Sequence, residues 1–458
     1  MTTLETHFDK WDKVRVKRQF SQLVNLSIPI ILQRLGIMML GIVDTAMVAR
    51  YSTTEVAFQG IANSAIGSTL IVAIIGLMMG TMVLTSNAFG AKDYKECGHI
   101  WRRSMPYGLA IGIVGMIVCL FGEQLLLMAG QTSEIAQGGG EVARVLSIGI
   151  LMTGLMLGSQ FFLEGINRPL PGMVFMMIAN VINIFLNWVL VWGHLGFDPM
   201  GAVGSAWATS IIRTFLTIAL FVYIFQKLDR EKYGIMDKVN MKWAFWKKHR
   251  HIGYAAGLTN TIEHLGFAVL YVFAGFLGNI SLGALTIAFT VFGVPFMICY
   301  GVAGATAVRV GIARGRGDHQ DMALAGMCGL AFNGMICLPM MVLLYFFPGF
   351  IANLFSEDAL LVAATIPLIA LSVWMLFMDT AQTVMGNALR GAQDIWMPAF
   401  YYVICYSILM IPLAYYLTFT LDHGTIGLIE CTIFASFLSM ILLSTRFFYL
   451  TLFKKSML

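Results

Sequence analysis

The sequence predicts an all-α polytopic membrane protein with twelve transmembrane helices in two six-helix lobes. The apolar composition, twelve apolar runs of spanning length and a weak internal repeat support this fold class. Hydrophobic residues make up 58% of the 458 residues, and charged residues make up only 12%. A soluble domain has about 45–50% apolar and about 25% charged residues. Soluble enzymes and nucleic-acid-binding domains are therefore excluded, and we expect a lipid bilayer as the surroundings and no nucleic-acid partner.

Twelve hydrophobic runs approach or exceed the ~20 residues that a spanning helix needs. The runs cover residues 26–50, 56–86, 104–128, 142–166, 172–195, 202–227, 253–278, 283–312, 322–350, 360–389, 397–420 and 424–452. The second and eighth runs are longer than one bilayer crossing, so we expect these helices to tilt or to extend beyond the hydrocarbon.

Basic residues concentrate in alternate connections between the runs. If both termini are cytoplasmic, 25 of the 29 Lys and Arg residues fall on the cytoplasmic side, as the positive-inside rule requires. The predicted organisation is a cytoplasmic N-terminal segment (1–25), an N-lobe (26–227), a linker (228–252), a C-lobe (253–452) and a C-terminal tail (453–458).

The two halves match weakly at an offset of about 225 residues. The matching positions are Gly80–Asp93 with Ala305–Asp318, Gly201–Thr209 with Gly424–Thr432, and Arg168 with Arg390. Each half has an even number of spans, so the second half enters the membrane from the same side as the first. The sequence therefore predicts a parallel repeat around an axis along the membrane normal.

Motifs of catalytic or cofactor chemistry are not found in the sequence. The seven cysteines are scattered without a CxxC pair, and the spans contain no His/Asp metal cluster, nucleophile–base arrangement or phosphate-binding loop. We expect a protein that is not an enzyme and that has no cofactor.

A first group of intramembrane polar residues lies in the N-lobe. Asp44 is six residues before Arg50, about 9 Å inside the outer end of the first span. Asn183 and Asn187 share one face of the fifth span. Thr209 and Asn180 are possible supporting members, and the set is a candidate site for a proton or a cation. A water-exposed Asp44 and asparagines that only join helices are the alternatives.

A second group lies in the C-lobe. Glu263 and Asp379 are both about 15–16 Å from the cytoplasmic boundary, near the middle of a ~30 Å core. Two carboxylates at one depth suit a hard cation such as Na+, or a shared proton. The alternative is an ion pair between Glu263 and His264 or an arginine. We interpret His264 as a packing or hydrogen-bonding residue, because it points about 100° away from Glu263 around the helix.

Four other charged residues lie in the spans. Arg34 is expected to extend towards the cytoplasmic surface, and Glu164 is expected at the interface. Arg213 lies in the middle of the sixth span without an identified partner, and Glu430 lies in the outer half of the twelfth span.

Most of the chain resembles the multidrug and toxic compound extrusion (MATE) transporter family. The segments that carry the resemblance are VDTAMVARYS (Val43–Ser52), SNAFGAKD, GINRP, NIFLN (Asn183–Asn187) and GNALRGAQD (Gly386–Asp394). The pair of Glu263 and Asp379 resembles the NorM branch. The resemblance implies a V-shaped bundle in the bacterial inner membrane, a monomer, and export of organic cations in exchange for Na+ or H+.

Two positions depart from the family pattern. The proton-driven branch tends to have an aspartate where this chain has Asn187, and some NorM-like members have an aromatic residue where this chain has Met375. The choice between Na+ and H+ therefore stays open. A flippase for a lipid-linked or polar metabolite is the alternative function, although such a cavity would be lined by Arg and Lys for a pyrophosphate group.

Overall fold

The computed structural model describes residues 12–240 and 242–453, apart from the side chains of Trp243 and Phe245. Within these ranges every regular element is a helix. The long helices are α1 (Lys13–Tyr51), α2 (Thr53–Gly90), α3 (Tyr94–Leu120), α4 (Ser133–Gly165), α5 (Leu170–Leu190), α6 (Gly201–Lys227), α7 (Lys247–Phe276), α8 (Asn279–Gly315), α9 (His319–Phe346), α10 (Ala359–Gly391), α11 (Trp396–Thr420) and α12 (Thr425–Phe453).

The predicted all-α membrane fold is confirmed, and each predicted run overlaps one of these helices. Eleven of the described helices are long and apolar enough to cross a membrane. α7 is not among the eleven, because Asn260, Glu263 and His264 lower the hydropathy of its central part. Its 30 residues span about 45 Å at 1.5 Å per residue, which exceeds the ~30 Å hydrocarbon core.

Helix α1 begins earlier than the first apolar run. It starts at Lys13, so residues 13–25 of the predicted N-terminal segment are helical and continuous with the span. Residues 1–11 and 454–458 of the predicted terminal segments, with Lys10, Lys454 and Lys455, lie outside the described residues.

The chain divides into two compact units. The C-unit contains the described residues up to Ile31 and from Leu258 onward, and the N-unit contains Leu32–Gly257. Both boundaries fall inside helices, α1 and α7, five to six residues after the predicted lobe starts at residues 26 and 253. The first part of α1 thus packs with the C-terminal helices, and the first part of α7 packs with the N-terminal helices. Hydropathy locates spans but contains no information on which helices they contact.

Small residues bring the helices of the N-unit into close contact. A Cβ atom added to Gly154 of α4 would lie 2.2 Å from the carbonyl oxygen of Gly108 in α3. A Cβ on Gly76 of α2 would lie 2.5 Å from the Cα of Gly257 in α7. Such close backbone approach is typical of membrane helix pairs, and it fixes α4 and α7 against their neighbours.

The C-unit has an apolar core around α8, α10, α11 and α12. A Cβ on Gly391 of α10 would lie 2.4 Å from the carbonyl oxygen of Ala307 in α8. The core includes Met375, Tyr402 and Tyr406. Met375 lies on α10 one turn before Asp379, and Tyr402 and Tyr406 come from α11.

Parts of the predicted repeat are visible in the helix ends. Asp93 and Asp318 cap α3 and α9, and each carboxylate accepts a hydrogen bond from the backbone N–H three residues later, at 3.1 and 2.9 Å. The predicted match of Arg168 with Arg390 is wrong. Arg168 is exposed after the end of α4, whereas Arg390 is buried in the last turn of α10. The short motif aligned two arginines by identity and not by their position relative to the helix end.

Candidate functional site

Asp379 of α10 is a buried carboxylate in the centre of the C-unit. Its Oδ1 atom accepts hydrogen bonds from Gln382 Nε2 at 2.8 Å, Tyr406 Oη at 2.9 Å and Ser436 Oγ at 3.1 Å. The side chains of Gln382, Tyr406 and Ser436 are fully buried. Helices α10, α11 and α12 therefore build a polar site in an otherwise apolar core.

Glu263 of α7 reaches the same site through Gln382. The Gln382 side-chain nitrogen lies 3.4 Å from Glu263 Oε1 and 2.8 Å from Asp379 Oδ1. Glu263 is partly exposed, whereas Asp379 is buried. The two carboxylates thus lie close together, as their equal depth predicted, and one amide joins them. Their role in cation coupling stays a prediction.

Three nearby residues, His264, Met375 and Arg390, have different settings. His264 is partly exposed and takes no part in the hydrogen bonds around Asp379. Met375 lies one turn before Asp379 and packs in the apolar core. Arg390 Nη2 donates to Asn260 Oδ1 at 3.1 Å.

Polar atoms beside Asp379 extend towards α9. Asn333 Nδ2 donates to Thr380 Oγ1 at 2.9 Å. Gln382 Oε1, Asn333 Oδ1 and Asn387 Oδ1 are buried without a hydrogen-bond partner among the described residues. Buried acceptors without a donor are costly, so these oxygens can accept a hydrogen bond or coordinate a small cation.

Asp44 of α1 is the corresponding carboxylate of the N-unit. Its Oδ1 accepts hydrogen bonds from Asn183 Nδ2 at 3.0 Å and Asn187 Nδ2 at 2.7 Å, and its Oδ2 accepts one from Thr209 Oγ1 at 2.5 Å. Asp44, Asn183 and Asn187 are buried. The structure therefore brings Asp44, Asn183, Asn187 and Thr209 together, as the sequence predicted. The alternative prediction of a solvent-exposed Asp44 is wrong.

Two further polar residues of the N-unit, Asn180 and Arg213, lie near this group in the sequence. Asn180 is not one of the hydrogen-bond donors to Asp44. Its side-chain nitrogen donates to the carbonyl oxygens of Gly36 at 3.1 Å and Met176 at 2.9 Å. It joins α5 to α1. Arg213 lies one turn after Thr209 on α6, and its Nη1 is buried without a hydrogen-bond partner among the described residues.

A buried ion pair that was not predicted lies nearer the start of α1. Arg34 Nη2 is 3.2 Å from Glu164 Oε1 and 3.3 Å from Oε2. Both side chains are buried, and the Arg34 guanidinium is 5.6 Å from the ring centre of Phe161. The expectation of a surface-directed Arg34 is therefore wrong, because the side chain pairs with Glu164 of α4. Glu164 is near the end of α4, as predicted, but it is buried inside the protein.

The main residues that sequence reasoning missed are Gln382, Tyr406 and Ser436. Gln382 is three residues after Asp379 on the same helix face, so its spacing was a usable signal. Tyr406 and Ser436 come from other helices and have no such signal.

These sites suit small hard cations or protons more than transition metals. No group of three or more His, Cys, Asp or Glu side chains is arranged to hold a metal ion in the part of the chain that the structure describes. The available ligands are carboxylate, amide and hydroxyl oxygens, which hard cations prefer.

Similarity to known proteins is extensive along the chain. The MatE family model matches residues 29–189 and 255–416. A protein of Caulobacter vibrioides named "Probable multidrug resistance protein NorM" is 34% identical over 427 residues, which cover 93% of this chain and 90% of that protein. The "Multidrug resistance protein PmpM" of Pseudomonas aeruginosa is 26% identical over 415 residues, which cover 89% of this chain and 86% of that protein.

Solved structures share the fold at lower sequence identity. The eukaryotic MATE transporter AtDTX14 has a TM-score of 0.86 at 18% identity, over 94% of this chain and 96% of its own. An outward-facing multidrug resistance MATE transporter has a TM-score of 0.86 at 19% identity, over 94% of this chain and 95% of its own.

Proposed function

The chain belongs to the MatE family, and from this premise we propose that it is a secondary active multidrug efflux transporter that exports organic cations in exchange for Na+ or H+. The names of its relatives from Caulobacter vibrioides and Pseudomonas aeruginosa support the multidrug substrate class. The nature of the two carboxylate sites supports cation coupling.

The observation that carries the proposal is the joined pair of Glu263 and Asp379. A carboxylate in a membrane helix costs about 2.5–3.5 kcal/mol on insertion scales, so a chain keeps one where it handles ions or protons. Here two such groups share the amide nitrogen of Gln382. A bound cation would neutralise the charges that the buried donors now stabilise.

The proposed coupling follows from competition for negative charge. When the coupling cation binds the Glu263–Asp379 site, the site no longer attracts an organic cation. When the coupling cation leaves, the bare carboxylates favour the organic cation again. The two ligands therefore weaken each other's binding by the same factor, and alternating access of the site to the two sides of the membrane would turn this competition into exchange.

Aromatic side chains beside the carboxylates support an organic cation as substrate. Phe267 lies one turn after Glu263, and its ring centre is 6.2 Å from that of Tyr406 and 5.6 Å from that of Phe289. Aromatic faces attract organic cations, by about 2 kcal/mol or more where water is excluded. The pairing of aromatic surface with negative charge suits flat amphipathic cations and not pyrophosphate groups.

Asp44 is proposed as the coupling or substrate-binding carboxylate of the N-unit. Its two oxygens accept three hydrogen bonds, and the Oδ1 atoms of Asn183 and Asn187 are buried without a partner among the described residues. Amide oxygens and a carboxylate together can replace the water shell of a small cation.

The test of the function is ethidium transport by purified protein in liposomes. A Na+ gradient and a pH gradient are imposed separately, each with the other ion at equilibrium. We expect ethidium to move against its own gradient under at least one of the two conditions. Movement that only follows the ethidium gradient, unchanged by either ion, would contradict cation coupling and indicate a passive channel.

A further inference from the structure

A cavity of about 710 Å³ lies in the N-unit, away from Asp44 and from the Arg34–Glu164 pair. It is lined mainly by aromatic and methionine side chains, with one arginine. The lining residues are Trp101, Arg102, Met105, Pro106, Phe221, Phe225, Met236 and Trp246. Pockets for small amphipathic molecules have volumes of about 300–1,000 Å³.

The cavity lies where α3 begins and α6 ends. Trp101 is seven residues after the first residue of α3, about 10 Å along the helix. Phe225 is two residues before Lys227, the last residue of α6. Both helices enter or leave the apolar zone at this level, and tryptophan is typical of membrane–water interfaces.

The mouth of the cavity carries positive charge. Arg102 Nη1 donates to the carbonyl oxygen of Ile235 at 2.8 Å, which uses one of the five N–H donors of a guanidinium. Arg230 Nε donates to the carbonyl oxygen of Phe225 at 2.5 Å. Arg102 thus lines the cavity itself, whereas Arg230 contacts the backbone of the lining residue Phe225 and adds positive charge nearby.

The segment 227–250 adds a wider excess of basic residues. It contains eight Lys and Arg residues against the three acids Asp229, Glu231 and Asp237. Segments of this kind next to a membrane attract anionic lipids, by about 1 kcal/mol per basic residue. A positive rim also repels organic cations, so the proposed transport substrate does not fit this cavity.

We propose that this cavity binds a phospholipid with an anionic head group. The head group pairs with Arg102 at the edge of the cavity, and an acyl chain lies against Phe221, Phe225 and Met105. The apolar lining excludes a free inorganic anion, and the charge at the mouth disfavours a zwitterionic lipid. This site is separate from the proposed coupling residues and does not depend on which cation drives transport.

Lipid retention by purified protein tests the proposal. The protein in detergent is equilibrated with equimolar phosphatidylglycerol and phosphatidylcholine of identical acyl chains, and the lipids that stay bound are counted by native mass spectrometry. We expect phosphatidylglycerol to be retained preferentially. Arg102→Gln should reduce this retention about fivefold.

Two further variants separate a specific site from general charge. Met236 is 60% exposed at the cavity, so Met236→Glu adds a negative charge without disturbing the core and should also reduce phosphatidylglycerol retention. Arg144→Gln removes an exposed arginine of α4 that pairs weakly with Glu123 at 3.9 Å, and it should retain phosphatidylglycerol like the parent.

Four results would overturn the proposal. The first is equal retention of the two lipids by the parent protein, and the second is parental binding of phosphatidylglycerol by Met236→Glu. The third is a loss of lipid in Arg144→Gln that is as large as the loss in Arg102→Gln. This third result would mean that removing any surface charge is sufficient to reduce lipid retention. Displacement of the retained lipid by tetraphenylphosphonium at equal concentration would assign the cavity to cations instead.

Discussion

Tyr406 donates a hydrogen bond to Oδ1 of Asp379 at 2.9 Å, and both side chains are buried in the C-unit. Release of a coupling cation re-forms the bare Asp379 carboxylate, which this hydrogen bond stabilises. Hydrogen bonds to charged groups contribute about 1.5–3 kcal/mol. Tyr406→Phe should therefore hold the coupling cation about tenfold more tightly or more and slow turnover.

The measurement for Tyr406→Phe is the cation concentration that gives half-maximal ethidium efflux in liposomes. Tyr402→Phe is the matched control, because Tyr402 stacks on Tyr406 at 5.6 Å and is not a donor to Asp379. Equal half-maximal concentrations in the two variants would show that the Tyr406 hydroxyl has no part in the site.

The hydrogen bond between Asn187 and Asp44 predicts energetic coupling in the N-unit. Side chains in one hydrogen-bond network show interaction energies of about 0.5–3 kcal/mol. We expect such coupling between Asp44→Asn and Asn187→Ala in a double-mutant cycle, read from the free energy of unfolding in detergent. A cycle of Asp44→Asn with Asn180→Ala should be additive, because Asn180 donates to Gly36 and Met176. Coupling of the same size in both cycles would contradict the observed partners.

The buried pair of Arg34 and Glu164 predicts that the loss of stability depends on whether one partner or both are replaced. Removing one partner of a buried ion pair costs about 3–5 kcal/mol, whereas replacing both with apolar groups is often neutral. Arg34→Met should lower the unfolding temperature in detergent, and Arg34→Met/Glu164→Leu should recover most of the loss. The control is Arg50→Met, since Arg50 is exposed at the end of α1. A double variant less stable than Arg34→Met would refute the pairing.

The sequence was most informative where helix geometry alone determines the position of a residue. The spacing of Asn183 and Asn187 placed two amides on one face, and both reach Asp44. The depth of Glu263 and Asp379 placed them at one level, and Gln382 joins them. In each case the 1.5 Å rise and 3.6-residue turn of the α-helix were sufficient.

The sequence was least informative where the contact depends on how helices pack. Glu164 was expected at the interface, yet its partner Arg34 comes from α1, 130 residues earlier. Tyr406 and Ser436 reach Asp379 from α11 and α12. Apolar faces surround most helices of a membrane bundle, so periodicity does not identify their neighbours.

The close approach of Gly98 in α3 to Tyr233 predicts that a larger side chain at position 98 would loosen the segment after α6. A Cβ atom on Gly98 would lie 1.8 Å from the carbonyl oxygen of Tyr233, so Gly98→Ala should displace residues 228–237 from α3. We expect faster trypsin cleavage at Arg230 and Lys232. Gly60→Ala is the control, because a Cβ there meets nothing within 4 Å. Both substitutions change glycine to alanine in a helix, so they have the same effect on helix propensity. Equal cleavage rates in the two variants would contradict this packing.

Cation-driven efflux by variants of the two C-unit carboxylates tests the central claim most directly. Glu263→Gln and Asp379→Asn are compared with Glu357→Gln, an exposed acid of the loop before α10, at equal protein per liposome. We predict that the first two lose ethidium efflux under the driving gradient, while Glu357→Gln transports at the parental rate. Parental efflux by both Glu263→Gln and Asp379→Asn would contradict the assignment of this pair as the coupling site.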